Sequence, residues 1–131
     1  MPRHPDEFDG RRIQALYYAM IAQVDDQLAR ILDCLDATGQ RDNSLVVFTS
    51  DHGDCLGDHH LVYKFWSHYD SVARVPLVFA GPGVEGLGVR DPLVELIDLG
   101  PTFLEMAGLD ALEGAEGKSL SPALVGQQGE P

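Results

Sequence analysis

The sequence is poor in basic residues and in cysteine, and it has no long apolar run. Its 131 residues hold 9 Lys and Arg against 21 Asp and Glu, which gives a net charge of −12. A non-specific nucleic-acid binder and a polybasic membrane-surface module both need the opposite sign, so both are disfavoured. No apolar run reaches the roughly 18 residues of a membrane span. At 44% apolar and 23% charged residues, the composition is that of a globular protein.

Two further absences bear on the cellular compartment and on disulfide bonding. The first seven residues are polar, with no hydrophobic stretch behind them, which is unlike a secretory signal. Two cysteines, Cys34 and Cys55, make no disulfide framework and favour a reducing compartment only weakly. The sequence therefore sets neither localisation nor oligomeric state.

The first long element is an amphipathic helix from about Gly10 to Ala37. Apolar residues recur at steps of three and four from Ile13 to Leu35, which is the spacing of one helix face. Gly39 stands where a helix-ending glycine belongs. At about 1.5 Å per residue the helix is roughly 40 Å long. A helix of this length implies a large surface to pack against, with Cys34 buried beneath it.

Two apolar runs predict strands. Residues 45–50 do not alternate, which is typical of a strand buried on both faces of a parallel sheet. Residues 75–80 form the second run, with a proline near its start. A short extended piece is expected near 89–94, a short helix over 101–107 and loop beyond 108. Two strands are fewer than the about 4–6 of a typical sheet, so the chain is expected to be part of a larger α/β domain.

Residue types that bind metals follow the first strand directly. Asp51 and His52 come at its end, where open α/β sheets place ligands. A carboxylate beside an imidazole is a common way to hold a divalent cation, although a turn-capping aspartate beside an ordinary loop histidine is the commoner explanation of such a pair on its own. Residues 58–60, Asp-His-His, add ligand types or form a solvated polar loop. Neither cysteine lies in a ligand-spaced pair, so a zinc site is not favoured.

Lys64 is one of two lysines in an acidic chain, and it lies among aromatic residues. A lone cation near a metal site suits an anionic substrate group. The alternative is a lysine whose aliphatic stem covers aromatic surface.

Taken together, these motifs closely resemble the C-terminal part of the catalytic domain of sulfatases, which belong to the alkaline-phosphatase superfamily. The resemblance rests on 46–54 with its Asp-His pair, on 56–59, on Lys64 and on 71–77. These motifs are flanked by the long helix, by the Asp-x-x-Pro-Thr pattern within 97–108 and by the turn 117–120. The resemblance therefore covers roughly residues 11–126. It implies that 10–126 are the C-terminal part of a sulfatase-type catalytic domain, while the residues themselves predict a flexible lead-in over 1–9 and a polar tail over 127–131.

The fold implied is part of an α/β sandwich like that of alkaline phosphatase. Its sheet is mostly parallel, it has one long N-terminal helix, and its helices pack on the sheet.

The resemblance also implies roles for four residues. Asp51 and His52 match the family's second pair of ligands for a divalent cation, calcium in most members. Lys64 matches the lysine that contacts the sulfate oxygens and the nucleophile. His68 matches a position that gives either a substrate contact or a structural residue.

The family nucleophile is a formylglycine made within a Cys/Ser-x-Pro-x-Arg motif, and this sequence contains no such motif. The family's N-terminal pair of aspartate ligands is also absent. The resemblance therefore implies half of a metal site and the sulfate-binding lysine without the nucleophile, and so a chain that is inactive alone.

Three functions fit the sequence. The first is a portion of a sulfatase that acts on a small anionic sulfate ester. The second is a portion of a related phosphonate monoester or phosphodiester hydrolase. In both, the partner is the N-terminal part of the same enzyme, which carries the formylglycine. The third is a non-catalytic binding module, whose apolar helix face and sheet edge need a partner. None of the three needs nucleic acid or membrane.

Overall fold

The computed structural model describes residues 9–64, 66, 68–86 and 88–126. Most of the predicted lead-in, 1–8, and the predicted tail, 127–131, lie outside these residues. The chain divides into two units: residues up to 44 together with 48–78, and 45–47 together with residues from 79 onward. No helix of the described residues is both long and apolar enough to cross a bilayer.

Helix α1, Gly10–Ala37, has the bounds that its periodicity predicts. The side chain of Asp9 caps its start by accepting a hydrogen bond from the Arg12 amide at 3.1 Å, and Gly39 follows its end with φ +66°. The predicted burial of Cys34 is wrong, since no residue of α1 is buried and this thiol is exposed. Periodicity gives the direction of an apolar stripe, but burial requires a surface that covers it.

The sheet differs from the mostly parallel one expected. Strand β1, Val46–Thr49, pairs with β2, Leu77–Ala80, in a two-stranded antiparallel sheet. The connection accounts for the direction: the Gly53 amide donates to the Val72 carbonyl at 2.8 Å, so the chain doubles back beside the end of β1. Each four-residue strand is roughly 13 Å long, much shorter than α1.

A short helix that the sequence pattern did not predict lies in this connection. Helix α2, Asp70–Ala73, is a single turn and carries Val72, which is 7% exposed. A Cβ on Gly53 would overlap the Ser71 carbonyl oxygen, so only glycine lets the chain after His52 approach α2 this closely.

The second unit is organised around a buried threonine. Helix α3, Leu99–Met106, begins slightly before the predicted helix. Thr102 is fully buried; its hydroxyl donates to the Asp98 carbonyl at 2.6 Å and accepts from the Leu120 amide at 2.8 Å. Helix α4, Ser121–Leu124, stands where loop was expected, because one turn is too short to show a helical period. The described residues near 89–94 form no strand.

Candidate active site

The site residues begin where β1 ends, in a turn tied by its own side chains. The Ser50 hydroxyl donates to the His52 carbonyl at 2.8 Å, and the His52 amide donates to Asp51 Oδ1 at 3.0 Å. These bonds replace the strand ladder and fix the backbone of the Asp-His pair. The Asp51 side chain is 84% exposed and that of His52 is 33% exposed.

The two partners of the His52 ring define its tautomer. Nδ1 lies 2.9 Å from the Gly53 carbonyl oxygen, which can only accept, so Nδ1 carries the proton. Nε2 lies 2.6 Å from Lys64 Nζ, and an ammonium can only donate. The neutral ring with its proton on Nδ1 satisfies both contacts, and it directs the lone pair of Nε2 toward Lys64.

Three charged or polar groups therefore converge at the end of β1. Asp51 Oδ2 lies 3.6 Å from His52 Nε2, and the Lys64 ammonium lies on the same nitrogen. A carboxylate oxygen and an imidazole lone pair attract a cation, whereas the ammonium attracts an anion. The lone pair of His52 Nε2 can accept from the Lys64 ammonium or ligate a cation, but it cannot do both at once.

The remaining predicted residue and the neighbouring histidines lie on the following loop. His68 is exposed and directly precedes Tyr69 and α2; its role stays a prediction. Within the described residues no three His, Cys, Asp or Glu side chains are arranged to hold a metal ion. Asp51 and His52 therefore stay two candidate ligands, and residues 58–60 add no third to them.

One contact in this region was missed by sequence reasoning. The rings of His59 and Tyr69 are stacked, with their centroids 3.8 Å apart and 14° between their planes. His59 reaches Tyr69 from a left-handed backbone conformation, φ 54° and ψ 25°. A left-handed non-glycine residue leaves no mark in the sequence, so no spacing rule would have paired these rings.

Comparison with known proteins finds one matching family model and several similar proteins. A family model described as Sulfatase matches residues 2–109. The multifunctional alkaline phosphatase superfamily protein PehA of Trinickia caryophylli is 41% identical over 128 residues, which cover 96% of this chain and 24% of that protein. Arylsulfatase K of Danio rerio is 41% identical over 122 residues, 92% of this chain and 23% of its own length.

Solved structures also resemble this chain. A phosphonate monoester hydrolase from Silicibacter pomeroyi superimposes with a TM-score of 0.84 at 36% identity, over 88% of this chain and 23% of that one. A protein solved in complex with its substrate D-glucosamine-2-N,6-O-disulfate gives 0.75 at 33% identity, over 88% and 23%. The chain spans about a quarter of the length of the relatives that it matches.

Proposed function

The chain belongs to the sulfatase family, and from this membership we propose that it supplies the Asp51, His52 and Lys64 part of the active site of a hydrolase that cleaves sulfate esters. The observation that carries the proposal is the 2.6 Å contact between Lys64 Nζ and His52 Nε2. An ammonium beside two metal-ligand types is the arrangement that an anionic ester needs. The nucleophile then comes from outside these 131 residues, which contain no Cys/Ser-x-Pro-x-Arg motif.

The chemistry of the donor set supports a divalent cation held by Asp51 and His52. A histidine that ligates a metal usually donates its other ring N–H to a carbonyl or carboxylate, and His52 does so to Gly53. When bound, the cation stabilises negative charge on the ester oxygens as a Lewis acid. Calcium, which the resemblance implies, prefers oxygen ligands such as the carboxylate of Asp51, whereas the imidazole nitrogen of His52 suits zinc better.

Lys64 has the complementary task of binding the anionic group. Its charge offsets the repulsion that a sulfate ester meets from a chain with a net charge of −12. Because charge on the oxygens is redistributed as the ester bond breaks, an ammonium held in place stabilises the transition state as well as the substrate. His68 is proposed as a further substrate contact, on the strength of its place on the same loop.

A segment exchange tests the proposal. The corresponding quarter of arylsulfatase K from Danio rerio is replaced by this chain, and the hydrolysis of an aryl sulfate is measured. We expect activity to survive. Lys64→Ala in this chimaera should lower kcat by about 100- to 1000-fold, the usual cost of one preorganised charge-stabilising donor. Lys64→Arg should rescue poorly, because a planar guanidinium does not replace a compact ammonium.

The chain provides its own control in Lys118, its other lysine. Lys118 is exposed and uses its backbone amide, not its ammonium, to bond Asp98, so Lys118→Ala should leave kcat unchanged. If Lys64→Ala keeps near-normal kcat/KM while Lys118→Ala does too, the role given to Lys64 is wrong.

A phosphonate monoester hydrolase is the second candidate, favoured by the TM-score of 0.84 to the enzyme from Silicibacter pomeroyi. The same exchange in that host, assayed on a phosphonate monoester, separates the two reactions. Activity that survives only in the phosphonate host would favour the second candidate. If neither chimaera is active although both unfold at the temperature of their hosts, the non-catalytic binding module is the better description.

A further inference from the structure

A stacked pair of rings brackets the segment that carries Lys64. The centroids of His59 and Tyr69 are 3.8 Å apart, and Lys64 lies between these residues in the sequence. We propose that this stack closes the segment and thereby holds the Lys64 ammonium on His52 Nε2. His59 and Tyr69 are then positioning residues that act through Lys64. The contribution of the stack to catalysis rests on the role proposed above for Lys64, whereas its effect on the position of the ammonium does not.

The His59 side of the stack comes from an unusual and well-fixed turn. His59, with φ 54°, is accompanied by His60 at φ 60° and Leu56 at φ 48°. Left-handed conformations are uncommon for residues other than glycine, and they persist where the surroundings over-determine them. Here the Leu56 amide donates to the Val62 carbonyl at 3.1 Å and closes the turn. The His59 ring is therefore presented from a backbone with little freedom.

The Tyr69 side of the stack belongs to the framework that holds His52. The Tyr69 carbonyl accepts hydrogen bonds from the amides of Val72 and Ala73 at 2.8 and 2.9 Å. The Val72 carbonyl in turn accepts from Gly53 at 2.8 Å, the residue next to His52. The stack thus connects the turn before Lys64 to the framework that positions the partner of Lys64.

This connection lowers the entropic cost of placing the ammonium. A lysine side chain loses much rotamer freedom when its head is fixed, and a segment whose ends are held together samples fewer conformations than one with free ends. With both ends of its segment anchored, Lys64 needs less stabilisation to stay 2.6 Å from His52 Nε2. Where a cation takes the Nε2 lone pair, the same anchoring keeps the ammonium beside the site, so that less reorganisation is needed during the reaction.

The test reads the His52 ring directly. Long-range proton–nitrogen NMR of the 131-residue chain reports the Nε2 resonance, and Lys64→Met defines its position without the ammonium. We expect Tyr69→Leu and His59→Leu each to move the resonance most of the way toward that position. Tyr69→Phe keeps a ring for stacking and should stay at the wild-type position. Because the two residues act as one pair, the double variant should move it no further than either single variant.

Two controls separate positioning from general loosening of the fold. Tyr18→Leu removes a tyrosine from α1 that is 65% exposed and should leave Nε2 unmoved. The hydrogen-exchange rate of the Gly53 amide reports whether this amide still donates to the Val72 carbonyl of α2. If Tyr69→Leu accelerates this exchange, it has also disturbed α2. The proposal is then judged on His59→Leu alone, since His59 lies outside α2. A wild-type Nε2 resonance in His59→Leu overturns the proposal. Inactive chimaeras combined with the expected NMR shifts would instead overturn the role of Lys64 and leave the stack standing.

Discussion

At the scale of single residues, His52 decides what the site can bind. Its Nδ1 proton is committed to the Gly53 carbonyl, so one lone pair, on Nε2, remains for outside partners. In the structure the Lys64 ammonium occupies it at 2.6 Å. A metal ion at Nε2 must therefore compete with Lys64 for the lone pair as well as tolerate its positive charge.

This competition gives a prediction for cation binding. The chain should bind Zn²⁺ weakly, and Ca²⁺ more weakly still, because two protein ligands leave most of the shell to water. Lys64→Met should tighten binding by roughly 30-fold, since a divalent cation and an ammonium about 4 Å apart in a water-exposed site repel by about 2 kcal/mol, twice the value for two unit charges. Asp51→Asn should abolish binding. Isothermal titration calorimetry measures all three.

The same titration has a built-in comparison. His60→Ala removes an exposed histidine that adds no ligand to the Asp51 and His52 pair, and it should leave the affinity unchanged. Tight binding that survives Asp51→Asn but is lost in His60→Ala would move the cation site to residues 58–60.

At the scale of elements, sequence patterns predicted the helix and strand positions that depend on neighbouring residues. The bounds of α1 follow from its unbroken three-and-four spacing and from Gly39 after its end. Both strands follow from their β-branched runs, shortened by a residue or two at the ends. Strand direction was predicted wrongly, because a buried strand has the same apolar run in either direction. It depends instead on the return of the chain through Gly53 and Val72.

The α3 element gives a stability prediction. Thr102→Val keeps the shape of a fully buried side chain but removes its hydroxyl, which leaves the Leu120 amide without its acceptor. The bond is partly buried, and a donor left unsatisfied away from water costs about 1–3 kcal/mol. We therefore expect hydrogen exchange of the Leu120 amide to accelerate by roughly 5- to 150-fold.

The chain contains a matched variant for this measurement. Thr38 lies in an exposed position, where its hydroxyl donates to the Cys34 carbonyl at 2.7 Å, and water can replace that bond. Thr38→Val should leave exchange at Leu120 as it is in the wild type. Equal protection of Leu120 in Thr102→Val and wild type would show that Thr102 is a packing residue only.

At the scale of the whole molecule, the sequence predicted the site in part. Asp51, His52 and Lys64 were singled out by residue type and by family resemblance, and the structure brings them together; their roles remain predictions. Periodicity could not foresee that α1 would keep its apolar face exposed, with Leu16 at 59% and Ile31 at 58%. That depends on which surfaces meet the helix, and a one-dimensional pattern carries no such information.

The whole chain also carries a prediction about catalysis. Without a nucleophile motif, the 131 residues alone should hydrolyse neither aryl sulfates nor phosphonate monoesters, because the covalent step has no attacking group. A continuous assay with purified chain and added Zn²⁺ or Ca²⁺ tests this. Turnover that disappears in Asp51→Ala would contradict it, while turnover that persists in that variant would point to a contaminating enzyme.

The hydrogen bond between Gly53 and Val72 also bears on folding order. Lys64 is only 12 residues from His52, and Gly53 contacts a residue of the next short helix, so the contacts that assemble this half of the site are close in sequence. Contacts of small sequence separation require little loop closure and form quickly. We therefore expect Asp51, His52 and Lys64 to meet early in folding, at about the same stage as the contact between Thr102 and Leu120, which are 18 residues apart.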